Sequence, residues 1–252
     1  MLNTPTLERL EALGLTGMAA ALREQLASRD IEHLGFDDRL GLMVDREATE
    51  RADRRLRYRL KQARLRISAA VADIDYRSKR GLDKRMVLAL ASCQWVKQHQ
   101  NLIITGPTGV GKSYIGCAFA HAACLEGYSV VYHRLPRLLE ELQLAHGDGR
   151  YLKLTRQLAH VDVLLLDDWG LNRLTTPQQS DLLEIIDERH ERRSTIVTSQ
   201  LPVDHWHQAM ADPTLADAIV DRLVHNAHHI TLKGESMRKR AADLDLDGKG
   251  GK

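Results

Sequence analysis

The spacing of apolar residues changes partway along the chain. From residue 4 to about residue 77 the apolar residues recur at helical spacing, and no convincing strand pattern appears. From about residue 100 onward, short runs of β-branched residues and leucine alternate with amphipathic segments of helix length. The helical segments are TLERLEALGL, MAAALREQLA and a long stretch from Phe36 to Ile74, and the short runs are NLIIT, SVVYH, VDVLLLD and STIVTS.

This change of pattern predicts two domains of different fold class. Strands that alternate with helices are typical of an α/β domain, in which a parallel sheet has helices on both faces. We predict a small all-helical N-terminal domain over residues 1–77 and an α/β domain over residues 78–241. The charged stretch YRSKRGLDKR marks the boundary. The tail over residues 242–252 has no apolar face to bury, so we expect it to be disordered.

Composition narrows the class of protein. The chain is 43% apolar and 28% charged, which is ordinary for a soluble globular protein. No apolar stretch approaches the roughly 20 residues that a membrane-spanning helix needs, and MLNTPTLERLEALGL contains neither a basic leader nor a signal-like apolar segment. We therefore expect a cytoplasmic protein without a membrane partner. Cys93, Cys117 and Cys124 lack metal-like spacing, and we expect them to be reduced and buried.

The segment GPTGVGKS lies between a predicted strand and a predicted helix and fully matches the nucleotide phosphate loop, or P-loop. Its glycines let successive backbone amides turn towards phosphate oxygens, and the helix adds its positive N-terminal end. Lys112 would reach the β- and γ-phosphates, and the Ser113 hydroxyl would ligate magnesium. The P-loop therefore predicts a bound nucleoside triphosphate with Mg²⁺. The predicted nucleotide-binding residues are Gly106, Pro107, Thr108, Gly109, Val110, Gly111, Lys112, Ser113 and Tyr114.

Polar residues follow two further strands, where ligands gather in parallel sheets. VDVLLLDDWG ends in Asp167, which would assist the magnesium ion through a water, and Asp168, which would orient the attacking water. Aspartate is one methylene shorter than the glutamate common in such ATPases, which predicts slow turnover; alternatively, Asp168 only caps the strand. In STIVTSQ, Thr198, Ser199 or Gln200 would touch the γ-phosphate or the attacking water, and we favour Ser199 and Gln200. A strand exit with capping hydroxyls is the alternative.

An arginine is predicted to act at a distance from the P-loop. Leu215, Ile219 and Leu223 in LADAIVDRLVHNAHHITL predict a helix, and Arg222 lies near its end, away from the apolar stripe. Such an arginine would reach the nucleotide of a neighbouring subunit and neutralise developing charge there, as an arginine finger does. A solvated or aspartate-paired arginine is the alternative. GESMRKR adds Arg238 as a second candidate charge sensor on the nucleotide.

The segment ATERADRRLRYRLKQARLRI, residues 48–67, predicts a basic helix. Between Arg51 and Arg66 the only acidic residue is Asp53. Repulsion between like charges four residues apart costs about 0.2–0.5 kcal/mol per pair, which a phosphate backbone would relieve. Tyr58 is the single aromatic residue, so duplex DNA fits better than base stacking on a single strand. The alternative is a solvated face or contact with an acidic protein. The predicted DNA-binding residues are Arg51, Arg54, Arg55, Arg59, Lys61 and Arg66.

These features resemble the AAA+ family of P-loop ATPases, and within it the IstB and DnaC group of transposition helpers and helicase loaders. The resemblance spans nearly the whole chain and implies a three-layer parallel-sheet ATPase domain after the helical domain. Aspartate at position 168 fits the IstB branch. The segments that carry it are LGLTGMAAALREQ, GFDDRLGLMVDRE, RGLDKRMVLALASCQWVKQHQNLIITGPTGVGKS, VDVLLLDDWG, TIVTSQLPVDHW and DAIVDRLVHNAHHITLKGESMRKR.

The resemblance implies an ATPase that oligomerises on duplex DNA and directs a partner transposase to its target. It further implies Asp167 as the metal residue and Arg222 as the arginine that acts on a neighbouring subunit. The alternative within the family is a replicative helicase loader, which prefers single strands and a helicase partner. Outside it, the alternatives are a small-molecule kinase, disfavoured by the paired aspartates, and a DNA-binding module that binds ATP without hydrolysing it.

Overall fold

The computed structural model describes residues 3–28, 31, 33–77 and 80–237. Its internal contacts divide the chain into two compact units, with the division between Tyr58 and Arg59. The predicted domain boundary near residue 78 stays a prediction, although the contacts group residues 59–77 with the α/β unit. The predicted tail, residues 242–252, and Arg238 lie outside the described residues.

The first unit is helical, and its described residues contain no strand. It comprises α1 (Asn3–Ala12), α2 (Thr16–Ala27) and most of α3 (Phe36–Ala63). The buried Glu47 carboxylate accepts the backbone amides of Gly17 (2.7 Å) and Met18 (3.2 Å), which have no partner inside the first turn of α2. A Cβ on Gly17 would lie 2.7 Å from the Cα of Glu47, so glycine allows α2 and α3 to approach this closely.

The long helix ends earlier than its apolar spacing predicts. The prediction ran to Ile74, whereas α3 ends at Ala63. Arg64 adopts a left-handed conformation with φ of +50°, which stops the helical hydrogen bonding. The chain then forms a short 3₁₀ turn, Val71–Asp73, which contacts both the helix Lys84–Ala91 and the helix that follows the P-loop.

The second unit is built on a five-stranded parallel sheet with the strand order β2-β3-β4-β1-β5. The four predicted strands are confirmed. The fifth was not predicted, because AHHIT buries only Ile230 and pairs with β1 alone at the edge of the sheet. The strands are β1 (Asn101–Thr105), β2 (Val130–Arg134), β3 (Val163–Trp169), β4 (Ser194–Ser199) and β5 (Ala227–Thr231).

Helices cover both faces of this sheet, as the α/β prediction requires. On one face Gly116 brings α6 close to Leu165 and Thr198. On the other face Ile103 and Val197 belong to a core that contains side chains from α7 to α10. The helices are α4 (Lys84–Ala91), α5 (Gln94–Lys97), α6 (Lys112–Leu125), α7 (Leu135–Asp148), α8 (Tyr151–His160), α9 (Thr176–Arg189) and α10 (Pro213–Val224).

The cysteines lie within this packing. All three are free and buried, as predicted. Burial raises the pKa of each thiol to about 11, so they stay protonated and unreactive near neutral pH. Among the described residues, no helix is both long and apolar enough to cross a membrane.

Candidate nucleotide-binding site

The P-loop follows β1 and leads directly into α6, which begins at Lys112. Two glycines are required by both conformation and space. Gly106 has φ of +147°, and a Cβ there would lie 2.4 Å from the Leu232 carbonyl oxygen. Gly111 has φ of +102°, and a Cβ there would lie 2.8 Å from Nη1 of the buried Arg80. The Lys112 ammonium group donates to the Pro107 carbonyl oxygen at 2.8 Å, so the lysine lies over the loop.

Asp167 lies at the end of β3, fully buried, and collects hydroxyl donors from three elements. Ser113 Oγ donates to its Oδ1 at 2.7 Å, and the Thr198 hydroxyl donates to the same oxygen. Tyr132 donates to Oδ2 at 2.8 Å. Burial and the nearby Asp167 carboxylate raise the pKa of Tyr132, so its phenol remains a donor. A hydroxyl beside a carboxylate is the hard-oxygen set that Mg²⁺ prefers, so these residues fit that ion.

Asp168 occupies an irregularity in β3. The pairing with β4 shifts between Leu166 and Trp169, and Asp168 itself has φ of +65°. Such a bulge changes the direction of a side chain along the strand. The Asp168 carboxylate accepts a hydrogen bond from Arg134 Nε, at the end of β2, at 2.7 Å. The predicted water-orienting residue is therefore held by an ion pair in this structure.

A cavity of about 490 Å³ adjoins the P-loop. Gln200, predicted as a nucleotide contact, lies at its border, and its Oε1 accepts from the Thr108 hydroxyl at 2.8 Å. The structure thus brings the P-loop, Asp168 and Gln200 together around one space. The lining residues are Ile67, Asp73, Asp75, Arg80, Thr108, Gly109, Gly111, Lys112, Ser113, Tyr114, Asp168, Gln200 and Met237.

Ser199 does not join this group. Its buried hydroxyl donates to the Trp169 carbonyl oxygen and accepts from the Leu201 amide, each at 3.0 Å. Neighbouring residues of a strand point to opposite faces, so Thr198 contacts Asp167 and Ser199 does not. We favoured Ser199 over Thr198 as a nucleotide contact; in this structure the Ser199 hydroxyl is held between Trp169 and Leu201, and its role at the nucleotide stays a prediction. Ser199 links the ends of β3 and β4.

Arg222 lies in the last turn of α10, near the amino-terminal ends of the strands, whereas the P-loop follows the carboxyl end of β1. The Arg222 carbonyl oxygen accepts from Asn101 Nδ2, at the start of β1, at 3.2 Å. Its guanidinium donates through Nε to Asp187 Oδ1 at 2.6 Å and through Nη1 to the Ala218 carbonyl oxygen at 3.0 Å. The aspartate pairing that the sequence left open therefore exists, and Arg222 is not part of the cavity beside the P-loop.

The family model for the IstB-like ATP binding proteins matches residues 8–244. The chain belongs to this family. An insertion sequence ATP-binding protein of Sinorhizobium fredii, y4pL, is 52% identical over 239 residues, which cover 95% of this chain and 98% of the relative. The IS21 ATP-binding protein of Pseudomonas aeruginosa is 32% identical over 232 residues, which cover 92% of this chain and 86% of the relative. The relatives are ATP-binding proteins by name, and the cavity beside the P-loop is the candidate nucleotide site of this IstB-like chain.

Solved structures with the same fold identify the architecture. The crystal structure of DnaI superposes on this chain with a TM-score of 0.58 and 24% sequence identity. The match covers 67% of this chain and 92% of the DnaI chain. The DnaC helicase loader has a TM-score of 0.55 and 19% identity, over 66% of this chain and 97% of its own. The IstB-like chain therefore has the α/β AAA+ fold predicted for it.

The predicted DNA-binding residues of this IstB-like chain fall into two groups. Arg55 and Lys61 are exposed on α3 and have no side-chain partner within the part of the chain that the structure describes. The remaining residues have partners. Arg51 Nε contacts Glu47 Oε1 (2.6 Å), Arg54 Nη2 contacts Thr16 Oγ1 (2.8 Å), Arg59 Nε contacts the Cys124 carbonyl oxygen (2.9 Å) and Arg66 Nη1 lies 4.0 Å from Asp167 Oδ2.

Arg66 lies outside the helix that carries the other predicted DNA-binding residues, and its role in DNA binding stays a prediction. It follows the end of α3 instead of lying on the helix, because Arg64 turns the chain. Sequence reasoning also missed Tyr132 and Arg134, which contact the two aspartates. Both residues lie in the carboxyl-terminal half of β2. They reach the aspartates because β2 pairs with β3, so they could be found only from the strand order.

Proposed function

We propose that this IstB-like protein is an ATP-dependent, DNA-binding transposition helper of the cytoplasm. It assembles as a homo-oligomer on duplex DNA when ATP is bound, directs or stimulates a partner transposase at the target site, and hydrolyses ATP slowly. The insertion-sequence names of its relatives support the link to transposition.

The ATP site supports this role through groups on one edge of the sheet. The P-loop amides and Lys112 would bind the phosphates, and Ser113 with Asp167 would hold Mg²⁺, which neutralises charge on the phosphate oxygens. Asp168 would orient the attacking water once its carboxylate has released Arg134 and accepts a hydrogen bond from that water instead. The ion pair and the short aspartate side chain both favour slow hydrolysis.

The position of Arg222 is the observation that carries the proposal of an oligomer. The P-loop follows the last residue of β1, whereas Arg222 contacts Asn101, the first. Five residues of strand span about 16 Å, so Arg222 and the P-loop of one chain lie at opposite ends of β1. If Arg222 acts on a nucleotide, that nucleotide would belong to a neighbouring subunit, which supports a site completed between subunits.

The exposed cations of α3 support binding to duplex DNA. Arg55, Arg57 and Lys61 are exposed and have no side-chain partner among the described residues. Point charges on a helix neutralise phosphates without reading bases, so binding should be independent of sequence and weakened by salt.

One experiment tests assembly and the DNA surface together. The complexes are sized by light scattering with duplex or single-stranded DNA, in ATP or ADP, for wild type and Lys112→Ala. We expect large complexes of the wild type with duplex DNA and ATP only. Replacing Arg55, Arg57 and Lys61 together by Gln should make the dependence of log affinity on log salt concentration less steep. The magnitude of its negative slope should fall by about two to three.

The matched control removes the same charge from exposed residues elsewhere: Lys97, Arg156 and Arg192, each to Gln. It should keep the salt slope of the wild type. A preference for single strands would favour a helicase loader over a transposition helper. An equal slope for both triple variants would contradict α3 as the DNA surface.

A further inference from the structure

The connection after α3 enters the ATP site. Arg64 turns the chain, and Ile67 lines the cavity beside the P-loop. The segment is anchored on α6: burial raises the pKa of the Cys117 thiol to about 11, and the backbone groups of Ile67 and Arg66 act against that rise by hydrogen bonding to the sulfur. The backbone at residues 66 and 67 therefore has a defined place against the helix of the P-loop.

From this anchored backbone the Arg66 side chain extends to the predicted metal residue. Its Nη1 lies 4.0 Å from Asp167 Oδ2, and its side chain is 49% exposed whereas that of Asp167 is fully buried. The same oxygen accepts from Tyr132. The guanidinium group is thus the charged neighbour of a carboxylate whose hydrogen bonds come from the hydroxyl groups of Ser113, Tyr132 and Thr198.

The two aspartates at the end of β3 each have an arginine beside them, but the two contacts differ. Arg134 makes a hydrogen bond of 2.7 Å to Asp168, whereas the approach of Arg66 to Asp167 is 4.0 Å and half exposed. An incoming triphosphate brings several negative charges to this place and competes for nearby guanidinium groups. Arg66 also interacts with the Tyr132 hydroxyl, where its charge opposes the rise in the pKa of that phenol, but its contact with an aspartate is the longer and the more exposed of the two.

We propose that Arg66 binds the γ-phosphate of ATP within its own subunit and lies against Asp167 when that phosphate is absent. The inference rests on the proposed function as an ATPase and adds a residue that distinguishes ATP from ADP. Arg66 follows the end of α3 by three residues. A contact between Arg66 and the γ-phosphate therefore links the nucleotide to the last turn of the basic helix through a short stretch of backbone.

Equilibrium binding of fluorescent ATP and ADP, with Mg²⁺ and with a chelator, tests the proposal. Arg66→Gln should weaken ATP binding about tenfold in both conditions, because a charge-assisted contact is lost, and ADP binding less than twofold. Arg66→Lys should retain part of the preference for ATP. The matched control, Arg64→Gln, removes the same charge two residues earlier and should leave both affinities unchanged.

Equal losses for the two nucleotides, or no loss for either, would overturn the proposal. Lys112→Ala separates this failure from a failure of the proposed function. If Lys112→Ala weakens both nucleotides while Arg66→Gln weakens neither, only the role of Arg66 is wrong. If Lys112→Ala weakens neither, the ATP site itself is wrong. Should Arg66→Gln fail to fold, the ratio of ATP to ADP affinity in Arg66→Lys decides.

Discussion

Two arginines lie in the last turns of neighbouring helices of the α/β unit, and their surroundings differ sharply. Arg189 is the last residue of α9 and is 2% exposed. Its Nη1 donates to the carbonyl oxygens of Leu158 and Val161, each at 2.7 Å, and its Nη2 donates to that of Ser194. Arg222 lies in the last turn of α10, its side chain is 30% exposed, and its one carboxylate partner, Asp187, is itself 59% exposed.

The difference separates a structural cation from one that is available to a ligand. Burial lowers the pKa of the Arg189 guanidinium, yet its donors are used by carbonyl oxygens at the end of α8 and the start of β4, so the charge is spread within the protein. Arg222 has a single exposed ion pair, of the kind that contributes little to stability. We expect loss of Arg189 to affect folding and loss of Arg222 to affect turnover.

Arg222→Ala should produce the largest effect. If Arg222 neutralises charge on a neighbouring nucleotide, the variant should lose about 10³-fold in the rate of DNA-stimulated phosphate release. The free energy of unfolding should change by less than about 1 kcal/mol, because only an exposed pair is lost. Phosphate release and thermal unfolding measure the two quantities on the same preparation.

Mixing two inactive variants determines whether Arg222 acts between subunits. Asp168→Asn keeps Arg222 and should still bind ATP, whereas Arg222→Ala keeps an intact ATP site. In a random equal mixture about a quarter of the sites combine one of each in the productive order, so activity should partly return. Absence of recovery in mixed assemblies of confirmed composition would contradict action on a neighbouring subunit.

Arg189→Met should have the next largest effect, on stability. The substitution leaves several buried carbonyl oxygens without a donor, and we expect a loss of about 3 kcal/mol in the free energy of unfolding. Arg192→Met, three residues further along at an exposed position, is the matched control and should change it by less than about 0.5 kcal/mol. If the two variants unfold alike in denaturant titrations, Arg189 is not the structural cation inferred here.

The sequence predicted those elements whose signals are local. The central strands β1, β3 and β4 stand out because they are almost wholly buried, and the edge strand β2 buries its first three residues. The other edge strand, β5, exposes His228 and His229 and buries only Ile230. The end of α3 was missed for a different reason. Nothing in the residue type of Arg64 indicates its left-handed conformation. The apolar residues keep their helical spacing beyond it, so the sequence predicted a helix that continues to Ile74.

The candidate site follows the same division. The P-loop is contiguous, so its sequence alone predicts its chemistry. Arg134 and Tyr132 reach the aspartates only because β2 pairs with β3, which no local pattern states. Arg189 and Arg222 are alike in the sequence, each at the end of an amphipathic helix. The partners that make one structural and the other available come from distant segments.

Asp187→Asn should produce the smallest effect. It tests directly whether the exposed ion pair of Arg222 restrains that arginine. It removes the carboxylate that holds Arg222 within its own subunit, while the pair is too exposed to contribute more than about 1 kcal/mol to stability. Arg222 must leave Asp187 before it reaches a neighbouring nucleotide, so phosphate release by the assembled protein should rise by up to about fivefold. Asp187→Glu, which keeps the charge, should stay near the wild-type rate. A fall in rate with Asn but not with Glu would mean that Asp187 orients Arg222 for its neighbour instead of restraining it.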